Sequence, residues 1–380
     1  MMRSRLWLGV GLVSLGSMAV SCSKESPAPA PAAAPAPTAA APAPTPPPEP
    51  ARPQMSHAKL VAFFRPAASQ AAAAAALAEA AKTDSPERIA LGRMLFFENR
   101  LSKNHDISCN SCHDLASFGV DGKATSLGHK GQKGSRNSPT VFHAAGHVAQ
   151  FWDGRAATLE EQAAGPMMNP MEMAMPDEKR LLATLNSIPE YVRAFKAAYP
   201  KDKKPVSVTN AARSIASFER GLITTSRFDK FLAGDEQALS EQERRGLDLF
   251  AASGCTTCHN GPSVGGTSFQ KLGLIEEYPT EDKGRFGVTK NEEDMHKFRV
   301  PTLRNVEKTG PWFHDGSVTE LPEAVRLMAK HQLGMSFTEP EVEDIVAFLK
   351  SLTGELPGAD VLTPPTLPPS TRTTPKPDPT

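Results

Sequence analysis

The pentapeptide C-N-S-C-H at Cys109 to His113 recurs as C-T-T-C-H at Cys255 to His259, and no other feature of this chain restricts its fold as tightly. Two thiols three residues apart stand on one turn and can close thioether bonds to the two vinyl groups of a c-type haem. The adjoining His113 and His259 then become proximal iron ligands. A redox or zinc-type C-x-x-C turn is the other reading of either copy alone. A thioredoxin-like site, however, would lie beside a β-α-β pattern, and neither copy does. Two copies in one chain point to a two-haem cytochrome.

The surrounding sequence is helical. Ser85 is placed to cap a helix from Pro86 to Glu98, with Ile89, Leu91, Leu95 and Phe96 as its apolar face. Ser240 and Glu243 form a capping box ahead of a second helix reaching Phe250. Both helices carry G-x-x-L-F, at Gly92 to Phe96 and Gly246 to Phe250, upstream of a C-x-x-C-H. The repetition indicates an internal duplication. Further helices are expected over 177–198, 209–223, 322–333 and 339–352, the last with Thr338 and Glu341 as a cap and Val342, Ile345, Val346 and Leu349 on one face. Strand signals are nearly absent. The expected fold class is mainly α: two cytochrome c-like domains in tandem, each with one covalently attached haem.

Composition matters at the chain ends. Residues 24–54 are mostly Ala and Pro, and 356–380 are a Pro/Thr tract. Neither has the apolar content to offset the entropy of ordering, so a disordered tether (23–54) and a disordered tail (356–380) are expected. The body between them is large enough for two cores and is divided here near residue 232, into an N-terminal domain (55–232) and a C-terminal domain (233–355). Residues 1–22 read as an export signal, with Arg3 and Arg5 before an apolar run from Leu6 to Val20. Ala19-Val20-Ser21-Cys22 is similar to a bacterial lipobox, with Ala19 where leucine is usual, so Cys22 is the expected point of a lipid anchor. An ordinary cleaved signal is the alternative. Either way the mature protein leaves the cytoplasm for the periplasm or cell envelope. Lys plus Arg equals Asp plus Glu, 42 of each, which gives no sign of a nucleic-acid or anionic-membrane partner.

The sixth position on each iron separates electron transfer from catalysis. His129, in S-L-G-H-K-G-Q-K-G-S-R with Gly122, Gly128, Gly131 and Gly134 around it, could ligate iron in one redox state and swing away in another, because glycine-rich backbone accepts large changes of φ and ψ. Glu172, among Met167, Met168, Met171, Met173 and Met175, is a carboxylate whose pKa an apolar pocket would raise, fitting it to move protons in peroxide cleavage. Gln162 is a hydrogen-bonding companion for it. Trp152 sits in a W-D-G-R turn. For the second haem the ligand is open among Met295, Met328, Met335, His296, His314 and His331.

Taken in order, L-G-R-M-L-F-F-E, I-S-C-N-S-C-H, R-N-S-P-T, Q-F-W-D-G-R-A, E-Q-A-A-G-P, N-P-M-E-M, V-P-T-L-R-N-V, F-H-D-G-S-V and the Met328 segment ending in Q-L-G closely resemble the bacterial di-haem cytochrome c peroxidases over essentially the whole globular body. The resemblance implies a low-potential peroxidatic haem on Cys109, Cys112 and His113, with His129 as its displaceable distal ligand. It implies an electron-accepting haem on Cys255, Cys258 and His259, with Met328 as axial ligand. Gln162 and Glu172 match the distal pair that assists O–O cleavage, and Trp152 the tryptophan between the haems. A calcium ion would take the side chain of Asn137 and the backbone carbonyls of Thr309 and Pro311, hard oxygen donors that suit Ca²⁺.

The activity so implied is reduction of hydrogen peroxide to water, with electrons from a small cytochrome c or a cupredoxin, in a homodimer. A non-enzymatic di-haem electron carrier is one alternative. A di-haem maturation oxidase acting on a protein substrate is the other; that branch uses an axial tyrosine, and none of Tyr191, Tyr199 and Tyr278 lies in the Met328 segment.

Overall fold

Helices begin where the sequence provides a cap. Ser85 Oγ accepts from Arg88 N at 3.2 Å and Pro86 opens the helix Pro86–Phe96, at a position whose N–H would have no intrahelical partner anyway. At the head of Glu241–Ala252 the capping box closes in both directions: Glu243 N donates to Ser240 Oγ at 3.3 Å and Ser240 N to Glu243 Oε2 at 2.8 Å. Thr338 N donates to Glu341 Oε2 at 2.8 Å ahead of Glu339–Ser351.

The computed structural model describes residues 54–65, 82 and 84–380. The export signal with Cys22, and residues 23–53 of the tether, lie outside the described residues. Among those described, no helix is long and apolar enough to cross a membrane. Among the described residues strand is confined to two short antiparallel pairs, Thr225–Ser226 with Gly354–Glu355 and Phe269–Lys271 with Lys297–Arg299, so the mainly α expectation holds.

Two helix boundaries differ from the sequence pattern. The single helix expected over 177–198 is two, Glu178–Asn186 and Pro189–Ala198. Pro189 lacks the N–H that would continue the ladder and its ring excludes a preceding turn, so the chain restarts with proline in the first turn. The segment 322–333 is an α-helix only over Leu321–Met328 and then makes one π-helical turn, Ala329–Leu333. Val342, Ile345, Val346 and Leu349 form the expected buried face, as do Leu91, Leu95 and Phe96, but Ile89 is 39 % exposed.

The repeated G-x-x-L-F has a packing cause. A Cβ on Gly92 would come within 1.8 Å of the Ser214 carbonyl oxygen on the helix Val208–Glu219, and a Cβ on Gly246 within 1.8 Å of the Asp344 carbonyl oxygen on Glu339–Ser351. In each half two helices cross with their backbones in direct contact, which only glycine permits. Each crossing nucleates a core. Leu91, Leu95, Phe96, Tyr191, Phe195 and Ile215 fill the first; Leu60, Phe64, Phe228, Phe231, Leu247 and Phe348 fill the second.

These cores do not follow the expected division at residue 232. The helix His57–Phe64 and Phe228 and Phe231 belong to the second core although they precede that boundary. The described residues from 54 to 380 belong to one compact unit.

The Pro/Thr tract, expected to be disordered, lies instead against the first half of the body. Arg100 donates to Pro368 O at 2.8 Å and to Ser370 Oγ at 3.1 Å, Arg93 to Thr363 O at 2.7 Å and Arg180 to Lys376 O at 2.5 Å. Asp378 N donates to Lys103 O at 3.0 Å. At its start Leu356, Val361 and Leu362 pack against the first core, and the rest is held by polar contacts. Prolines lower the entropy lost on ordering, and free backbone carbonyls in an extended chain are acceptors for a row of arginines.

Gly246→Ala is expected to destabilise the haem-loaded protein by about 1–3 kcal/mol, the usual range for overpacking. Gly287→Ala, where a Cβ meets nothing within 4 Å, is expected to leave stability unchanged or raise it by about 0.4–1 kcal/mol. Thermal unfolding of the two variants beside the wild type checks the pair.

Candidate functional site

Each pentapeptide is one tight turn. Cys109–Cys112 forms a helical turn headed by Ser108, with Ser108 N donating to Ser111 Oγ at 3.0 Å and His113 N to Cys109 O at 3.0 Å. In the second copy Gly254, at φ +92°, turns the chain into Cys255–Thr257, and His259 N donates to Cys255 O at 2.9 Å. The four cysteines of the two pentapeptides form no disulfide. Burial pushes the Cys109 thiol well above its ordinary 9.0 and the Cys255 thiol up to about 12. The same loss of water depresses the His113 imidazole, and brings His259 down to about 4. Neutral imidazoles with a lone pair to give are what iron ligation requires.

A cavity of about 240 Å³ opens beside the second turn, with His259 and Met328 in its wall among Phe250, Leu321, Val325 and Leu349. Of the six alternatives for the second axial ligand, the cavity wall contains Met328 and His314; Met295, Met335, His296 and His331 are not in it. His314 Nε2 is 3.1 Å from Thr280 Oγ1, His296 Nδ1 2.9 Å from Asp282 O and His331 Nδ1 3.0 Å from Glu276 O. A flat apolar macrocycle fits an apolar wall that presents a thioether and a neutral imidazole.

Asn137, Trp152, Thr309 and Pro311 line this same cavity. Trp152 is buried and its Nε1 donates to Asn137 O at 2.9 Å. Asn137 N donates to His314 O at 2.7 Å, and Asn137 Nδ2 to Lys123 O at 2.9 Å. Among the described residues no group of three or more His, Cys, Asp or Glu side chains could hold a metal ion, so a cation here would rest on amide and carbonyl oxygens.

Near the first turn, His129 and Glu172 are joined through their backbones: His129 N donates to Glu172 O at 2.7 Å. The contact depends on Gly128, whose Cβ would lie 1.9 Å from Met171 O. The His129 ring is 4 % exposed and neither ring nitrogen has a partner. Lys130 (φ 58°) and Gly131 (φ +70°) turn the chain away at once. Gln132 Nε2 then clamps the loop with 3.1 Å bonds to His129 O and Pro170 O. Glu172 is half-buried in the turn four residues beyond the helix Leu159–Met168, which carries Gln162. Burial raises its carboxyl above the ordinary 4.5, against the pull of Arg155 and Asn169, and Glu172 in turn helps to raise the Cys112 thiol. The five methionines do not all surround it. Met167, Met173 and Met175 enter the first core and Met171 is 41 % exposed.

Three buried polar groups at these sites were not singled out from the sequence. Arg299 and His147 line the second cavity. Glu219, 4 % exposed at the end of Val208–Glu219, adds to the raised pKa of the Cys109 thiol. Nothing in their local patterns marks them, since depth of burial is a property of the assembled fold.

The sequence profile of the family described as di-haem cytochrome c peroxidase matches residues 86–237. The chain is 48 % identical over 299 residues to the cytochrome c551 peroxidase of Pseudomonas aeruginosa, covering 77 % of this chain and 85 % of that one. It is 48 % identical over 303 residues to the cytochrome c551 peroxidase of Nitrosomonas europaea, covering 78 % and 88 %. Among solved structures it is similar to a MauG-like protein associated with microbial copper homeostasis, with TM-score 0.67, 31 % identity and coverage of 74 % and 93 %.

Burial, and after it Glu160, lift the Glu219 carboxyl to about 8 against the opposing pull of Arg220. The folded chain then holds a proton that the unfolded chain has already released. Stability is expected to decline as pH rises from about 4.5 to about 8, by about 1.4 kcal/mol per unit from this group. In Glu219→Gln the slope across that window should be shallower by about that amount, as read from denaturation midpoints of the haem-loaded proteins at pH 5, 6.5 and 8.

Proposed function

The chain belongs to the di-haem cytochrome c peroxidase family, and from this premise we propose how its residues divide the work. It is an enzyme that takes hydrogen peroxide, two protons and two electrons from a cytochrome donor to two molecules of water. Two covalently held c-type haems supply the redox chemistry, one as the site of peroxide reduction and one as the entry point for single electrons.

Cys109, Cys112 and His113 would hold the peroxidatic group, and Cys255, Cys258 and His259 the electron-accepting one, with Met328 as a further ligand to it. A thioether ligand raises a haem's potential, which suits an electron store. His129 would be the displaceable ligand of the first group. Glu172 takes the proton from the inner oxygen of peroxide and returns it to the outer one, so that water can leave. Burial brings that carboxyl's proton exchange nearer to neutral pH. Gln162 donates a hydrogen bond to peroxide from the same side, and Trp152 stands between the two groups. The observation that carries this reading is the 2.7 Å backbone bond from His129 N to Glu172 O. Any excursion of the histidine loop also acts on the segment that holds the acid–base group.

Calcium binds through Asn137 Oδ1, the end of the amide left over once Nδ2 has donated to Lys123 O, together with the carbonyls of Thr309 and Pro311. The donor is a small c-type cytochrome or a cupredoxin. The mature protein resides in the periplasm or cell envelope, anchored by a lipid on Cys22, and works as a homodimer.

One-electron reduction of the protein in the presence of calcium, followed by absorption and magnetic circular dichroism, should turn the first haem high-spin and make it reactive towards peroxide. Two haems that stay six-coordinate and low-spin, with no peroxide consumed, would identify an electron carrier instead. Glu172→Gln is expected to lower kcat by about 10²–10⁴ while haem content and the potential of the second haem stay as in the wild type.

A further inference from the structure

Arg299 is the most deeply buried arginine among the described residues, less than 2 % exposed. It stands in the wall of the second cavity, and that wall contains no aspartate, glutamate or lysine. The other two buried arginines are paired with carboxylates. Arg100 meets Glu98 at 2.5 Å, and Arg304 grips Asp229 with bonds of 2.9 and 2.7 Å. Arg299 has no such partner. Its Nε donates to Phe151 O at 3.3 Å and its Nη1 to Val300 O at 3.5 Å, both long for hydrogen bonds to a cation. Desolvation alone acts on the guanidinium, bringing it down to about 10; no anionic side chain offsets it. An uncompensated buried charge costs several kcal/mol, and a fold retains one where a ligand completes the pair.

We infer that Arg299 is the receptor for a carboxylate of the haem attached at Cys255 and Cys258, with His147 as a second donor to the same group. This rests on the reading of Cys255–His259 as a haem site and adds to it the place where the acidic edge of the group lies. A c-type haem is apolar over most of its surface and carries two propionates on one edge. The cavity matches that pattern with a single fixed cation in an apolar wall. His147 lines it too, with both ring nitrogens buried and unpartnered, and burial, with Arg299 beside it, keeps its imidazole neutral, so one N–H is free to donate.

The position has a consequence for the reaction. Arg299 N donates to Trp152 O at 2.7 Å, while Arg299 Nε reaches the carbonyl of Phe151. The carboxylate's partner is therefore attached by its own backbone and side chain to the Phe151–Trp152 segment, and Trp152 Nε1 holds Asn137 O. Arg299 acts through the haem carboxylate as a positioning residue and sets the potential of the second haem. With the carboxylate neutralised, reduction proceeds without proton uptake.

The test is a spectroelectrochemical titration of the second haem from pH 5.5 to 8.5 in the wild type, Arg299→Gln and Arg299→Lys, each holding two haems per chain. The wild type should be nearly independent of pH. Arg299→Gln should have a lower potential, because the exposed anion favours the oxidised haem, and a slope approaching 59 mV for each tenfold change in proton concentration, the one-electron limit. Arg299→Lys should restore most of the pH independence. A Gln variant with both haems and with the wild-type potential and slope overturns the inference. Should Arg299→Gln fail to take up haem, redox-difference infrared spectra of the wild type and Arg299→Lys, with the propionate carboxyls ¹³C-labelled, decide the matter. The labelled bands should shift between the two proteins, and identical bands overturn the inference. These readouts are independent of peroxide turnover, so a protein that proves to be an electron carrier would still test it.

Discussion

Backbone contact between crossing helices underlies everything else in this molecule. Gly92 lies on the Ser214 carbonyl and Gly246 on the Asp344 carbonyl, and at that separation the flanking side chains interlock into two tight cores. Each core then supports a C-x-x-C-H turn that follows its glycine helix in the chain. A methyl group at either crossing would push the paired helices apart and carry the thiols with them, because close-packed interiors transmit displacement rather than absorb it. The duplication is therefore mechanical as well as textual.

Charges inside the body are handled in two distinct ways. Several are satisfied in closed networks. Glu98 is shared by Arg100 and by Tyr191 Oη at 2.6 Å, Arg220 bridges Asp84 and Glu160, and Arg136 bridges Asp153 and Asp282. At the sites His129 and His147 have no hydrogen-bond partner on either ring nitrogen, and Arg299 bonds only to the carbonyls of Phe151 and Val300. His129, His147, Arg299 and Glu219 all lie near the pentapeptides or the cavity, where a cofactor, a substrate or a proton completes them. A buried polar group costs free energy unless it is paired, and a ligand at these positions would supply the pairing.

The C-terminal tract ties regions distant in sequence to the peroxidatic half. It is bonded to Arg93, Arg100 and Arg180, and to Lys103, whose own N–H donates to Met173 O at 2.8 Å next to Glu172. A proline-rich strap held by arginines, with Leu356, Val361 and Leu362 packed against the first core, thus braces the segment that carries the acid–base group.

Local features were legible in the sequence because their causes are local. The thioether turns, the helix starts at Ser85, Ser240 and Thr338, and the buried stripe Val342–Ile345–Val346–Leu349 each depend on residues a few positions apart. The resemblance to the peroxidases added the candidate roles of His129, Gln162, Glu172 and Met328 in advance of any geometry. Tertiary structure alone decided which of the possible axial residues face the cavity, that Ile89 and Met171 turn outward, and that His57–Phe64 joins the second core. It also decided that Arg299 is buried without an anion and that the final tract is ordered. Those outcomes depend on partners far apart in the chain, as Arg100 and Pro368 are. The desolvation and pairing that set their energies exist only once the chain has closed on itself.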